Sequence, residues 1–177
     1  MLSRLGRDNS GAFDYYWEET AMQFPHVSGS NLQRQNIELP RDFEGEQNLV
    51  LIAFQQWQQT QVNTWLPFAR QLEDSHPTVR YYELPTIRRL NPLARTFINE
   101  GMRAGIPDPV ARERTITLYV DKGAFRGALQ LSSEQEIHVM LVDRQGKVSW
   151  WESGVFTPEK GESLAAAIRE GTGDEVE

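Results

Sequence analysis

The sequence predicts an α/β chain: a three-layer α/β/α sandwich with a mixed central sheet and an amino-terminal extension. Three observations carry this. Leu49–Phe54 is apolar at every position, as a central strand covered on both faces must be. From there to Asp121, strand-like and helix-like segments alternate, the pattern of parallel strands joined by crossover helices. Ile137–Trp151 then reads as a hairpin turning at Asp143–Gly146, which adds antiparallel strands at one edge. A chain of 177 residues fits one domain with terminal extensions and buries a core without disulfides or metal.

Residues 1–30 read as the extension, 31–170 as the domain and 171–177 as an acidic tail. Phe13–Phe24 holds five aromatics, at Phe13, Tyr15, Tyr16, Trp17 and Phe24, too many for a solvated tail. Such an arm either packs on its own domain or makes a partner or homodimer contact. His26–Asn31 has linker composition. Ile37–Asn48 opens as a short strand and ends in a turn rich in Pro and Gly. After Leu49–Phe54, a helix is predicted with Val62, Trp65, Leu66, Ala69 and Leu72 on one face and a kink at Pro67. Val79–Leu84 is a second strand, closed by Pro85. Arg88–Gly105 is helical, with Leu93, Phe97, Ile98 and Met102 on one side. Ile106–Arg114 reads as an irregular connection with a helical turn, Thr115–Asp121 as a third strand and Gly123–Leu131 as a short helix. Thr157 is the expected N-cap of a last helix that starts at Pro158 and buries Leu164, Ala167 and Ile168.

Composition removes several functions. A net charge of −7 argues against general nucleic-acid binding and against docking on anionic lipid by charge alone. The chain has no cysteine, so it has no disulfide, no zinc-thiolate site and no thiolate nucleophile. Three histidines, at His26, His76 and His138, show no ligand spacing, so no metal and no cofactor are expected. No P-loop or dinucleotide fingerprint occurs. The longest apolar run, Leu49–Phe54, is far shorter than the roughly 20 residues of a membrane helix. The first residues lack a signal-peptide h-region, and a cytoplasmic protein with no transmembrane segment is expected.

The segments LPRDFEGEQNLVLIAF, the helix containing Pro67, and IHVMLVDRQGKVSWWESG with the following TPE together resemble the thioredoxin and peroxiredoxin superfamily, over Ile37–Arg169. More narrowly, LVDRQGKVSWWESG (Leu141–Gly154) resembles the mitochondrial ATP-synthase assembly-factor family and its bacterial relatives, thioredoxin-like domains without active cysteines. That resemblance implies an assembly or chaperone-like role through contact with an unidentified protein, rather than a reaction. Thioredoxin-like proteins commonly carry a cysteine motif where the central strand meets its helix, and this chain has Gln55–Gln61 there. Anchored on Trp57, the two cysteine positions hold Gln58 and Gln61; anchored on Pro67, they hold Gln59 and Val62. The superfamily's cis-proline position falls at Ile137 or His138, and without proline a trans bond is expected.

The candidate ligand-binding or partner-binding residues follow from position. Trp57, Gln58, Gln59, Thr60 and Gln61 lie where ligands favour the carboxyl edge of an α/β sheet, or else form a plain solvated helix start. Arg88 and Arg89 follow a strand at the same pole and either hold a carboxylate or phosphate or belong to a solvated helix face. His138 is either a general base or a satisfied structural residue. Trp150 and Trp151 point to opposite faces, with one in the core and Trp151 a candidate partner contact. No catalytic residue is assigned. The alternative to a protein-binding role is a small-molecule binder or non-thiol enzyme using the Gln-rich pole with Arg88 or His138.

Overall fold

The computed structural model describes residues 22–173. Seven strands form one sheet: β1 (Val27–Asn31), β2 (Asn36–Leu39), β3 (Gln47–Ala53), β4 (Val79–Arg88), β5 (Ile116–Val120), β6 (His138–Val142) and β7 (Val148–Ser153). The spatial order is β2-β1-β5-β4-β3-β6-β7. Strand β3 runs parallel to β4 and antiparallel to β6, so the sheet is mixed. The helices are α1 (Gln59–Ser75, entered through a 3-10 turn at Gln56–Gln58), α2 (Pro92–Gly105), α3 (Pro109–Arg114), α4 (Lys122–Ala128) and α5 (Pro158–Thr172). Among the described residues, no helix is long and apolar enough to cross a membrane.

Strand β3 explains its own composition. Leu49 and Leu51 point into one core with Val62, Trp65, Ala69 and Leu72 of α1 and Leu164 and Ile168 of α5. Val50 and Ile52 point into the other, with Phe24, Phe43, Phe54, Phe125 and Met140. Alternate side chains of one strand therefore serve two layers, which requires an apolar residue at every position. Each fully buried Leu or Ile here contributes about 1.5–3 kcal/mol. Trp65 is fully buried and donates its indole N–H to the Gly154 carbonyl at 2.9 Å, which ties α1 to the end of β7. Pro67 lies inside α1 on its exposed side.

Several expectations are corrected. The Val27–Asn31 part of the expected linker is strand β1, so the boundary drawn after residue 30 falls inside the sheet. Gly29 is what permits this: a Cβ there would stand 2.7 Å from Ile116 and 2.8 Å from Leu118. Of the aromatic arm, residues 13–21 lie outside the described residues, whereas Phe24 is wholly buried between Phe43 and Phe125. Pro85 does not close the second strand, because β4 continues to Arg88. Pairing with β3 ends at Pro85 and pairing with β5 begins at Thr86, so the missing N–H falls where the strand changes neighbours. The helical turn expected within Ile106–Arg114 is present as the six-residue α3, capped by Asp108. Helix α2 begins at Pro92 behind the Asn91 cap, and it does not bury the face predicted for it: Leu93 is 82 % exposed and Phe97 81 %.

Candidate interaction site

Strands β3, β4 and β5 end at one pole of the sheet, where α1, α2 and α4 begin. Phe54 leaves β3 buried, and the turn Gln56–Gln58 redirects the chain into α1. Gln58 is fully buried. Its side-chain oxygen accepts from the Phe54 amide at 2.8 Å and the Gln55 amide at 3.2 Å, and its side-chain nitrogen donates to the Glu134 carbonyl. One neutral amide thus terminates a strand and clamps a distant loop, using both donor and acceptor. Gln61 accepts from the Ile137 amide at 3.1 Å, one residue before β6. Both positions assigned to cysteine by the Trp57 anchor are therefore occupied by side chains bonded to backbone across the pole.

The loop they hold is centred on Glu134. Its carboxylate accepts from Gln55 at 3.2 Å and Lys122 at 3.5 Å and forms an ion pair with Arg126 at 3.3 Å. Lys122 also donates to the Phe54 carbonyl at 2.9 Å. Gln55 belongs to the Gln-rich pole read from the sequence, whereas Glu134 reads there as an ordinary loop carboxylate and Lys122 and Arg126 carry no local motif that joins them to it.

The other candidates are distributed around this plug. Gln59, on an exposed helical position, donates to Glu83 at 3.0 Å and to Asn63 at 3.1 Å. Burial pushes the Glu83 carboxyl above its usual range, and the Gln59 hydrogen bond and Arg70 oppose that shift. Thr60 donates to the Trp57 carbonyl at 3.1 Å. His138 is buried between Phe54, edge-on at 6.1 Å, and Trp151, stacked at 6.2 Å. Its Nε2 donates to the Ser133 carbonyl at 2.9 Å, and its Nδ1 is buried with no hydrogen-bond partner among the described residues. Burial holds the imidazole below its ordinary pKa, which favours the neutral ring. The peptide bond before His138 is trans; the cis bond among the described residues is Leu39–Pro40.

Alongside Gln59 and Thr60, Trp57 is open to solvent, 54 % exposed, as are Arg88 and Arg89 at the end of β4. Neither arginine has an ion pair or side-chain hydrogen bond among the described residues. Arg89 borders a shallow depression of about 200 Å³ that also has His26 and Asp121 on its rim. Trp151 is half exposed on edge strand β7, while Trp150 packs against Trp65 on the other face and donates to Ser163 under α5. The structure joins Gln58 and Gln61 to one loop and His138 to Trp151; it leaves Trp57, Arg88 and Arg89 free of both groups. Among the described residues, no cluster of three or more acidic residues and histidines is arranged to hold a metal ion.

The profile of the ATP10 protein family matches residues 6–170. The chain belongs to the ATP10 protein family. Comparison with curated protein sequences found no match. Among solved structures, the fold is similar to BsSco, a member of the Sco family of cytochrome c oxidase assembly proteins that has a disulfide switch. The TM-score is 0.60 at 12 % identity, over 86 % of this chain and 95 % of that one. It is also similar to Etrx1, an exposed lipoprotein thioredoxin of Streptococcus pneumoniae strain TIGR4. There the TM-score is 0.53 at 12 % identity, over 82 % of this chain and 99 % of that one. The fold is thioredoxin-like, as the sequence predicts, and the ATP10 resemblance read from Leu141–Gly154 is met across nearly the whole chain. This ATP10 chain keeps that fold with no cysteine in it.

Proposed function

We propose that this ATP10-family chain is an assembly factor that binds another protein at the carboxyl pole of its sheet, through Trp57, Arg88 and Arg89, with no thiol chemistry. One observation carries the reading: at the junction of β3 and α1, where thioredoxin-like proteins commonly carry a cysteine motif, Gln58 and Gln61 bond to backbone and close the pole. A closed pole offers a surface. That surface has an exposed indole and two exposed guanidinium groups that are unpaired among the described residues, the side-chain types enriched in binding hot spots. Family membership supports a subunit of ATP synthase as the partner. The half-exposed Trp151 belongs to the same proposal as a second contact at the sheet edge. The setting of the contact is aqueous and, as the sequence reading has it, cytoplasmic; fractionation of native cells tests that part.

The direct test is calorimetric titration of the full-length protein with isolated ATP-synthase subunits. One subunit is expected to bind saturably, and Trp57→Ala is expected to weaken that binding tenfold or more, about 1.4 kcal/mol. Failure of every subunit to bind would overturn the assignment of the partner. Binding indifferent to Trp57→Ala would overturn the assignment of the surface.

A further inference from the structure

The two edges of the sheet differ. At one end β2 is four residues long and is followed by Pro40, a short edge that offers little to a further strand. At the other end stands β7, six residues long, with no Pro or Lys in it and one charge, Glu152. Gly154 donates to the Ile137 carbonyl at 3.0 Å, and His138 stands opposite Ser153. Alternation therefore turns the backbone groups of Ser153 and Trp151 to the open side. Among the described residues no strand pairs with them there, and the Ser153 amide is met by the neighbouring Glu152 carboxylate at 3.3 Å. An open edge of this kind is a template for another strand.

The chain itself begins to fill that edge. Gln23 pairs antiparallel with Lys147, Val148 donates to the Met22 carbonyl at 3.0 Å, and Phe24 donates to the Gly146 carbonyl at 2.7 Å. Phe24 is wholly buried, which fixes this register. In an antiparallel pair, residue numbers fall on one strand as they rise on the other. Continuing the pairing backwards from Met22 thus leads along β7 toward Ser153. We infer that residues 17–22 pair antiparallel with β7 of the same chain as an eighth strand. These six residues match the six of β7, at about 3.4 Å each. Composition suits the role: Tyr15, Tyr16, Trp17 and Thr20 favour strands, and no Gly or Pro occurs between Phe13 and Phe24. The inference goes beyond the assembly role and does not involve Trp57, Arg88 or Arg89. The Trp151 ring stands on the face of the sheet, stacked on His138, so the backbone edge and the proposed Trp151 contact are separate surfaces.

Hydrogen exchange read residue by residue by nuclear magnetic resonance on the full-length chain tests it. The Trp151 amide has no hydrogen-bond partner among the described residues, and pairing with residues 17–22 gives it one. Val148 bonds to Met22, so alternation turns Thr20 toward β7 and Glu19 away. Thr20→Pro removes a donor from the pairing beside Trp151. Glu19→Pro alters a position facing away from β7, where an edge strand tolerates proline. The Trp151 amide should exchange slowly in the wild type and in Glu19→Pro, and about tenfold or more faster in Thr20→Pro. The amides of β3 are the reference and should stay protected in all three proteins. A Trp151 amide that exchanges freely in the wild type, equal protection in all three proteins, or equal loss in both proline variants would overturn the inference. So would protection that rises with protein concentration, since a second copy would then supply the strand. None of these outcomes bears on binding of an ATP-synthase subunit, so the two readings fail separately.

Discussion

Replacing Gln58 with Ala removes the clasp that closes the pole. The side chain makes three hydrogen bonds, to the Phe54 amide at 2.8 Å, to the Gln55 amide at 3.2 Å and to the Glu134 carbonyl. Each is worth about 1 kcal/mol net, and groups left buried and unpaired cost more than that. The expected loss is therefore about 3 kcal/mol, a large part of the roughly 5–15 kcal/mol that stabilises a domain. For an m-value of about 2 kcal/mol/M, the urea midpoint should fall by about 1.5 M at constant m. The control is Gln56→Ala, two residues away in the same 3-10 turn, whose exposed side chain makes no hydrogen bond among the described residues. It should change stability by less than about 0.5 kcal/mol. Equilibrium unfolding by fluorescence and by circular dichroism should give the same midpoints. If Gln58→Ala shifts the midpoint no more than Gln56→Ala does, the pole is not held by Gln58 and the reasoning fails.

Three further outcomes are expected. Glu134→Ala frees Gln55, Lys122 and Arg126 together, so the Ser132–Ile137 loop should become the first site of limited proteolysis, with a stability loss of about 1–2 kcal/mol. Gly146 turns the β6–β7 hairpin at φ +90°, and a Cβ there would crowd Gln23 and the Phe24 carbonyl, so Gly146→Ala should cost about 1–3 kcal/mol in thermal unfolding. His138 has its pKa lowered in the folded chain by burial, so the unfolded chain binds the extra proton first. The stability it contributes is complete above the unfolded value near 6.5 and is lost as pH falls through 6.5 toward the folded pKa. The wild-type melting temperature should therefore drop over that window more steeply than that of His138→Phe; parallel pH profiles would refute this.

The fold was legible where burial and periodicity coincide. Leu49–Phe54 announces a central strand because both of its faces are covered, and the Asp143–Gly146 turn fixes the terminal hairpin. Strand β1 was hidden because its residues, Val27–Asn31, include Ser28, Gly29 and Ser30, and the value of Gly29 lies in letting β1 approach Ile116 and Leu118. Amphipathicity identifies α2 as a helix without saying which side packs, and Arg95, Asn99 and Arg103 meet the domain while Leu93 and Phe97 stay exposed. At the pole, the absent thiol was plain from composition. The role of the glutamines was not, because Gln58 and Gln61 act on Glu134 and Ile137, more than 70 residues away. A lone histidine at a strand start reads more readily as a structural ring than as a base, and its place between Phe54 and Trp151 shows what surrounds it.

The proposed assembly surface is the carboxyl pole that Gln58 and Gln61 close, with Trp57, Arg88 and Arg89 exposed on it. It is tested most directly in cells lacking this protein that are supplied with a full-length variant carrying Trp57→Ala, Arg88→Ala and Arg89→Ala. These exposed changes leave the core and the Gln58 clasp intact, so the variant should accumulate and unfold like the wild type. Assembled ATP synthase, measured on native gels, should fall to the level of cells without the protein. Wild-type amounts of the assembled enzyme in those cells would contradict the account.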